Sequence, residues 1–147
     1  MGIHTPTDIL AESIVSKHLD ADLSGNPKAT LGDVIESLKK IPEYQKTLAK
    51  PAVRVGSEKD FAGKVFVTMS GGTGGGSKVA EAYFEAGVGT LVCMHIPEDD
   101  IKAIKEQNVG NVIVAGHMAS DSVGINQLVE ALENKGLEVI RMSGVIG

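Results

Sequence analysis

Aromatic residues and positive charge are both scarce in this sequence. It contains no tryptophan, two tyrosines and three phenylalanines, and aromatic residues make up 3% of the chain. Lysine and arginine total 14 against 19 aspartates and glutamates, so the formal net charge is -5 at pH 7. Proteins that bind nucleic acids usually present a basic surface, and those that bind single strands add aromatic side chains on which bases stack. We therefore expect no nucleic acid among the partners.

Cysteine and long apolar runs are scarce as well. Cys93 is the single cysteine, so no disulfide can form within the chain, and its apolar surroundings favour a small buried side chain in a reducing compartment. No apolar stretch approaches the roughly 20 residues that a membrane-spanning helix needs. The first residues lack the basic region and apolar core of a signal peptide. These absences predict a cytoplasmic protein without a membrane partner.

Alternating strand and helix patterns fill the second half of the chain. Apolar runs around Val67, Val92 and Ile113 predict strands, and amphipathic segments between them predict helices. This alternation is typical of βαβ units, so we predict an α/β fold with a largely parallel sheet flanked by helices. Over the 147 residues we expect a single domain, in which residues 1–50 form an N-terminal helical arm and residues 51–147 the core.

Two further segments are candidate strands. Val53–Val55, in the connector Pro51–Gly63, is a candidate edge strand. Leu137–Met142 is expected to form the last strand of the chain.

A histidine and an aspartate follow the predicted strand Asn111–Ala115, at the end of the strand where active sites of open α/β sheets lie. His117 and Asp121 are four residues apart, so on a helix their side chains can point in the same direction. Imidazole and carboxylate groups suit zinc, iron or manganese, which makes the pair a candidate part of a metal site. Alternatively, Asp121 and Ser120 cap the helix and His117 bonds a nearby carbonyl.

Two other histidines could belong to the same site. His4 and Asp8 repeat the spacing near a predicted helix start, where Asp8 is a candidate metal ligand and His4 a ligand or its supporting partner. The alternative for Asp8 is a carboxylate favoured by the helix dipole. His95 follows another strand and would line the same crevice as His117 if the two strands are neighbours. Otherwise it is a surface side chain before the next helix.

A glycine-rich loop joins the first parallel strand to the following helix. Such loops direct backbone N–H groups toward an anion, and the helix dipole adds to the attraction. The Walker order Gly-Lys-Ser/Thr is missing, and no acidic residue ends the next strand as in dinucleotide-binding folds. The loop is a candidate phosphate or carboxylate site, or else a turn that allows close backbone approach. Its residues are Gly71, Gly72, Thr73, Gly74, Gly75, Gly76 and Ser77.

Three segments, in this order, resemble the NIF-three-like family, many of whose members are described as GTP cyclohydrolase type-two homologs. They are His4-Thr5-Pro6-Thr7-Asp8, the strand-loop-helix from Met69 to Gly76, and the segment Gly116–Gly124, which is similar to the family's Gly-His-Tyr-x-x-Glu motif. The resemblance spans nearly the whole chain but corresponds to the latter half of a usual member.

This resemblance implies two similar α/β halves, homo-oligomers shaped as rings or cages, and up to two metal ions near the C-terminal ends of parallel strands. It implies that Asp8, His117 and Asp121 are metal ligands, although the family usually has the longer Glu at the last position. The family's paired histidines have no counterpart, because the sequence contains no His-His. A complete site would need another chain, a further N-terminal half, or His4 and His95 in their place.

Three functions remain open at this point. The first is a metal-dependent hydrolase, in which the ion activates water against a small phosphate-bearing or heterocyclic substrate. The second is a metal- or anion-binding regulatory or interaction module without turnover. The third is a fragment whose site is incomplete.

Overall fold

A computed structural model describes residues 4–70 and 76–147, and His4 by its backbone alone. The described helices are α1 (His4–Leu23), α2 (Leu31–Leu38), α3 (Pro42–Lys46), α4 (Gly76–Glu85), α5 (Glu98–Gln107) and α6 (His117–Glu133). The described strands are β1 (Ala52–Val55), β2 (Val65–Thr68), β3 (Thr90–Cys93) and β4 (Asn111–Val114).

The four strands form one sheet in the order β1-β4-β3-β2. β2, β3 and β4 are parallel, with Val67 beside Val92 and Val92 beside Ile113. β1 runs antiparallel to β4 at the edge, which confirms the edge strand expected around residues 53–55. Because β2, β3 and β4 run in one direction, their carboxyl ends meet at one edge of the sheet, called here the C-terminal edge.

Helices cover both faces of this sheet, and all four residues of β3 are buried between them. Strands that are buried on both faces are almost continuously apolar, which explains the runs that predicted them. One face packs against α1, α2, α3 and α6, and the other against α4 and α5. The mixed α/β fold with a mostly parallel sheet is therefore confirmed. Among the described helices, none combines the length and the apolar character needed to cross a membrane.

Helices α1 and α6 approach each other closely at Gly124. A Cβ atom added there would lie 2.0 Å from the carbonyl oxygen of Thr7, far inside van der Waals contact. The face that α6 buries is correspondingly rich in small residues, including Ala119, Ser120 and Ser122. This packing fixes the first turns of α1, which carry Asp8, against α6.

The predicted strand Leu137–Met142 is wrong, since the structure assigns no strand to these residues. The segment instead turns back along α6, and its polar groups bond to that helix. Arg141 Nε donates to Asn126 Oδ1 at 3.2 Å, and beyond the segment the Ile146 N–H donates to Ser122 Oγ at 2.9 Å. These bonds hold the segment on the helical layer, away from a sheet edge.

Candidate metal centre at the C-terminal edge of the sheet

Two histidines from neighbouring strand ends meet at the C-terminal edge. The ring centroids of His95 and His117 are 5.6 Å apart, and the ring planes are inclined by 34°. His95 follows β3 and His117 begins α6 directly after β4, so the pairing of β3 with β4 brings the two rings together. The two strands are thus neighbours, which was the condition for His95 and His117 to line the same crevice.

Asp121 lies one helical turn beyond His117. His117 Nε2 and Asp121 Oδ2 are 3.5 Å apart, and the two side chains are 41% and 21% exposed, so solutes can reach both. The capping alternative is wrong, because α6 begins at His117 and Ser120 and Asp121 lie inside the helix. Ser120 Oγ donates instead to the Gly116 carbonyl at 2.7 Å.

A buried tyrosine supports this part of α6. Tyr44 OH and Ser120 Oγ are 2.9 Å apart, which joins α3 to the first turn of α6. Burial raises the pKa of Tyr44 well above its ordinary value, and the charges of Glu43 and Asp121 act in the same direction. The phenol therefore stays protonated. Tyr44 was not among the residues predicted from the sequence. The only hint in the sequence is that a tyrosine occupies an apolar position of a predicted helix.

Helix α1 contributes carboxylates on the side of β2. Asp8 is partly exposed as a residue while its Oδ1 atom is buried. One turn later, Glu12 Oε2 accepts the Met69 N–H at 3.2 Å, just beyond the end of β2. Glu12 was missed at the sequence level, although its spacing of four from Asp8 places both on one side of the helix.

The structure thus joins His95 with His117, and His117 with Asp121. Across residues 4–70 and 76–147, no three His, Cys, Asp or Glu side chains come close enough together to hold a metal ion. The assignment of Asp8, His117 and Asp121 to one ligand set therefore stays a prediction, and the side chain of His4 lies outside the description.

The candidate anion site is described only at its end. Gly71, Gly72, Thr73, Gly74 and Gly75 lie outside the described residues. Gly76 has a positive φ of 71° and opens α4, a backbone conformation that favours glycine. The Ser77 N–H donates to Asp100 Oδ1 at 2.9 Å. A phosphate bound at Ser77 would have to displace this carboxylate.

An apolar cavity of about 410 Å³ lies between α4, α5 and the sheet. His95 lines it, so the cavity borders the histidine pair. Burial raises the pKa of the Cys93 thiol, which also lines the cavity, to about 11. The free thiol is therefore protonated near neutral pH.

Comparison with known proteins agrees with the fold. The Duf34/NIF3 (NGG1p interacting factor 3) family model matches residues 1–144. A NIF3 superfamily protein from Sphaerobacter thermophilus superposes with a TM-score of 0.86 at 37% identity, covering 95% of this chain and 51% of that one. The chain thus spans about half the length of this relative.

Two more distant structures share the fold. Reduced HcgD from Methanocaldococcus jannaschii has a TM-score of 0.54 at 20% identity, covering 73% of this chain and 40% of that one. Protein SA1388 from Staphylococcus aureus has a TM-score of 0.51 at 18% identity, covering 78% and 31%. No curated protein matches the sequence. The family match over nearly the full length confirms the resemblance, and the chain belongs to the Duf34/NIF3 family.

Proposed function

We propose that this protein binds a divalent transition metal ion (zinc, iron or manganese) at the C-terminal edge of the sheet. His117 and Asp121 supply two ligands, and His95 and Asp8 are the next candidates. The observation that carries the proposal is the spacing of the first two donor atoms. His117 Nε2 and Asp121 Oδ2 are 3.5 Å apart, and two ligands about 2.1 Å from one tetrahedral ion are separated by about 3.4 Å.

The donor chemistry fits the same group of metals. A neutral imidazole with a carboxylate is a common ligand combination for zinc, iron and manganese. The second imidazole, on His95, has its ring centre 5.6 Å from that of His117, so a side-chain rotation could direct both toward one ion. Both His117 and Asp121 are partly exposed, which leaves the ion a path of entry.

The ligand set of this chain is one part of a site, and we propose that the remainder comes from elsewhere. His4, a further half of the protein or a second copy of the chain are the candidate sources, and a complete site could hold two ions. The chain spans about half of its Sphaerobacter relative. Leu137, Ile140 and Met142 are 55%, 75% and 70% exposed, an apolar surface that favours a homo-oligomer.

A metal-dependent hydrolase is the activity that this arrangement supports best. A bound divalent ion acts as a Lewis acid and activates water for hydrolysis. His95 is exposed beside His117 and Asp121, and in the arrangement in which it does not bind the ion it can carry a proton to or from a substrate. Residues 71–77 are the proposed receiver of the substrate's anionic group, because a glycine-rich loop before a helix directs backbone N–H groups toward an anion. At Ser77 that group would replace the Asp100 carboxylate. The alternative is a metal-binding regulatory module, favoured by the incomplete ligand set.

Metal content tests the proposal directly. We expect the purified protein, supplied with Zn²⁺ or Mn²⁺ and desalted, to retain about one equivalent or more by elemental analysis. His117→Ala and Asp121→Asn should lose most of it, whereas His18→Gln should keep it, because His18 bonds to the Ser37 carbonyl away from this edge. A wild type without stoichiometric metal, or a His117→Ala variant that retains it, would overturn the proposal.

Activity is tested separately. A screen of the metal-loaded protein against phosphoesters and nucleotides distinguishes the hydrolase from the binding module. Turnover that is lost in His117→Ala supports the hydrolase, and full metal occupancy without turnover supports the module.

A further inference from the structure

We propose that the apolar cavity between α4, α5 and the sheet binds an uncharged, planar nitrogen heterocycle that carries an N–H donor. The inference deepens the proposed function by naming the ring-bearing class of its ligand, and it rests on that function only for the placement of the ring beside the metal. Ring binding itself requires no metal ion.

The size of the cavity suits one small ligand. Its volume of about 410 Å³ falls within the range of about 300–1,000 Å³ that small-molecule sites occupy. Aliphatic residues form the largest group in the lining, including Val79 and Ala80 on α4 and Leu91 and Val112 on the sheet. Such a lining favours a ligand body without charge.

Tyr83 makes a flat ligand the better match. Its ring lines the cavity and packs against Phe66, with centroids 4.6 Å apart and planes inclined by 30°. A tyrosine held by a second ring offers a planar ligand an aromatic partner at little cost in side-chain entropy.

The charges around the cavity disfavour an anion inside it. Of the lining residues that the structure describes, none is lysine or arginine, and Asp100 places a carboxylate there. Cys93 is a neutral thiol at physiological pH, because burial raises its pKa to about 11. A phosphate group would therefore lie outside the cavity.

Asp100 selects a ligand with an N–H donor. Its Oδ1 accepts the Ser77 N–H at 2.9 Å, and an ionised carboxylate has about four acceptor positions. The carboxylate can therefore accept a further N–H from a ring bound in the cavity.

His95 connects the cavity with the candidate metal centre. It lines the cavity while its ring lies 5.6 Å from that of His117. A substituent on the bound ring would thus extend past His95 toward the metal ligands, which is where a hydrolysable group has to lie.

Fluorescence titration of 2-aminopurine into protein stripped of metal with EDTA tests the inference. We expect saturable binding, and quinoline, a bicyclic ring without an N–H donor, to bind at least about tenfold more weakly. Inorganic phosphate should not compete. Val79→Trp should weaken 2-aminopurine binding about tenfold or more, because residue 79 lines the cavity and is 39% exposed.

Val109→Trp is the matched control, since Val109 is 52% exposed and is not a described lining residue. Its affinity for 2-aminopurine should equal that of the wild type. Asp100→Asn keeps an acceptor for the Ser77 N–H but loses the charge. It should therefore weaken the binding of 2-aminopurine severalfold and leave the binding of quinoline unchanged. If Val79→Trp does not fold, the affinity of Asp100→Asn for 2-aminopurine tests the proposal instead.

Absence of saturable 2-aminopurine binding in the wild type would overturn the inference. Equal binding of quinoline, or unchanged affinity in both Val79→Trp and Asp100→Asn, would do the same. His117→Ala should bind 2-aminopurine normally even though it is expected to lose metal. The proposed ligand of the cavity and the proposed metal centre can therefore be refuted independently of each other.

Discussion

Gly124 lies against the carbonyl of Thr7, so closely that a Cβ atom at position 124 would be 2.0 Å from that oxygen. The contact sets the distance between α1 and α6, the two helices that carry Asp8 and the His117–Asp121 pair. The backbone of Thr7 cannot move aside alone, because it belongs to α1. The absence of a side chain at residue 124 is therefore a structural condition for the candidate site.

Gly124→Ala should destabilise the fold by about 2 to 4 kcal/mol, because overpacking costs roughly 1 to 3 kcal/mol and here the obstacle is backbone. Urea denaturation followed by circular dichroism measures the change. Gly25→Ala is the control, since nothing lies within 4 Å of a Cβ at that position. Equal stability of the two variants would show that α1 and α6 are not packed as described.

Tyr44→Phe removes the hydroxyl that meets Ser120 Oγ at 2.9 Å. A buried neutral hydrogen bond contributes about 0.5 to 1.5 kcal/mol net, so we expect a loss of unfolding free energy of about that size. Ser120 still bonds the Gly116 carbonyl, which limits the cost. Tyr83→Phe, at a partly buried tyrosine on the opposite face of the sheet, serves for comparison, and metal content should be unchanged in both variants.

Local sequence patterns were sufficient to predict the strands of the parallel core, but they were insufficient to predict the structure of the segment Leu137–Met142. β3 is buried at every position, and a strand buried on both faces shows its apolar run directly in the sequence. Leu137–Met142 carries a strand-like pattern as well, but a strand needs a partner. Arg141 bonds Asn126 and Glu133 on α6 and keeps the segment beside that helix. That competition between partners is not visible in the segment itself.

The same distinction between local patterns and distant partners explains which parts of the candidate site could be predicted from the sequence. The spacing of His117 and Asp121 follows from helical geometry, whereas the approach of His95 to His117 depends on the order of β3 and β4 in the sheet. Glu12 and Tyr44 were missed because their partners are remote. Met69 is 57 residues from Glu12, and Ser120 is 76 residues from Tyr44.

Cys93 makes stability depend on pH in the alkaline range. Burial raises its pKa from 9.0 to about 11 in the folded state, so the unfolded chain ionises first. Between pH 9 and 11 the folded state holds more protons, and the stabilisation present below pH 9 is lost as the pH rises through 11. The difference in unfolding free energy between wild type and Cys93→Ala should fall by up to about 1.4 kcal/mol per pH unit in this interval. Urea titrations at pH 8, 9, 10 and 11 measure it, and parallel curves would contradict the burial of the thiol.

Substitutions of Glu12 distinguish a structural role of its carboxylate at the C-terminal edge from a role as a metal ligand. Its carboxylate accepts the Met69 N–H at 3.2 Å, and hydrogen bonds to charged groups contribute about 1.5 to 3 kcal/mol when buried. Because Glu12 is half-buried, we expect Glu12→Ala to cost about 1 to 2 kcal/mol and Glu12→Gln, which retains an acceptor, to cost less than half of that. Equilibrium denaturation of the two variants tests this order. If Glu12 only positions the end of β2, Glu12→Gln keeps the metal content of the wild type, and a loss of metal in a variant of nearly normal stability would instead make Glu12 a ligand.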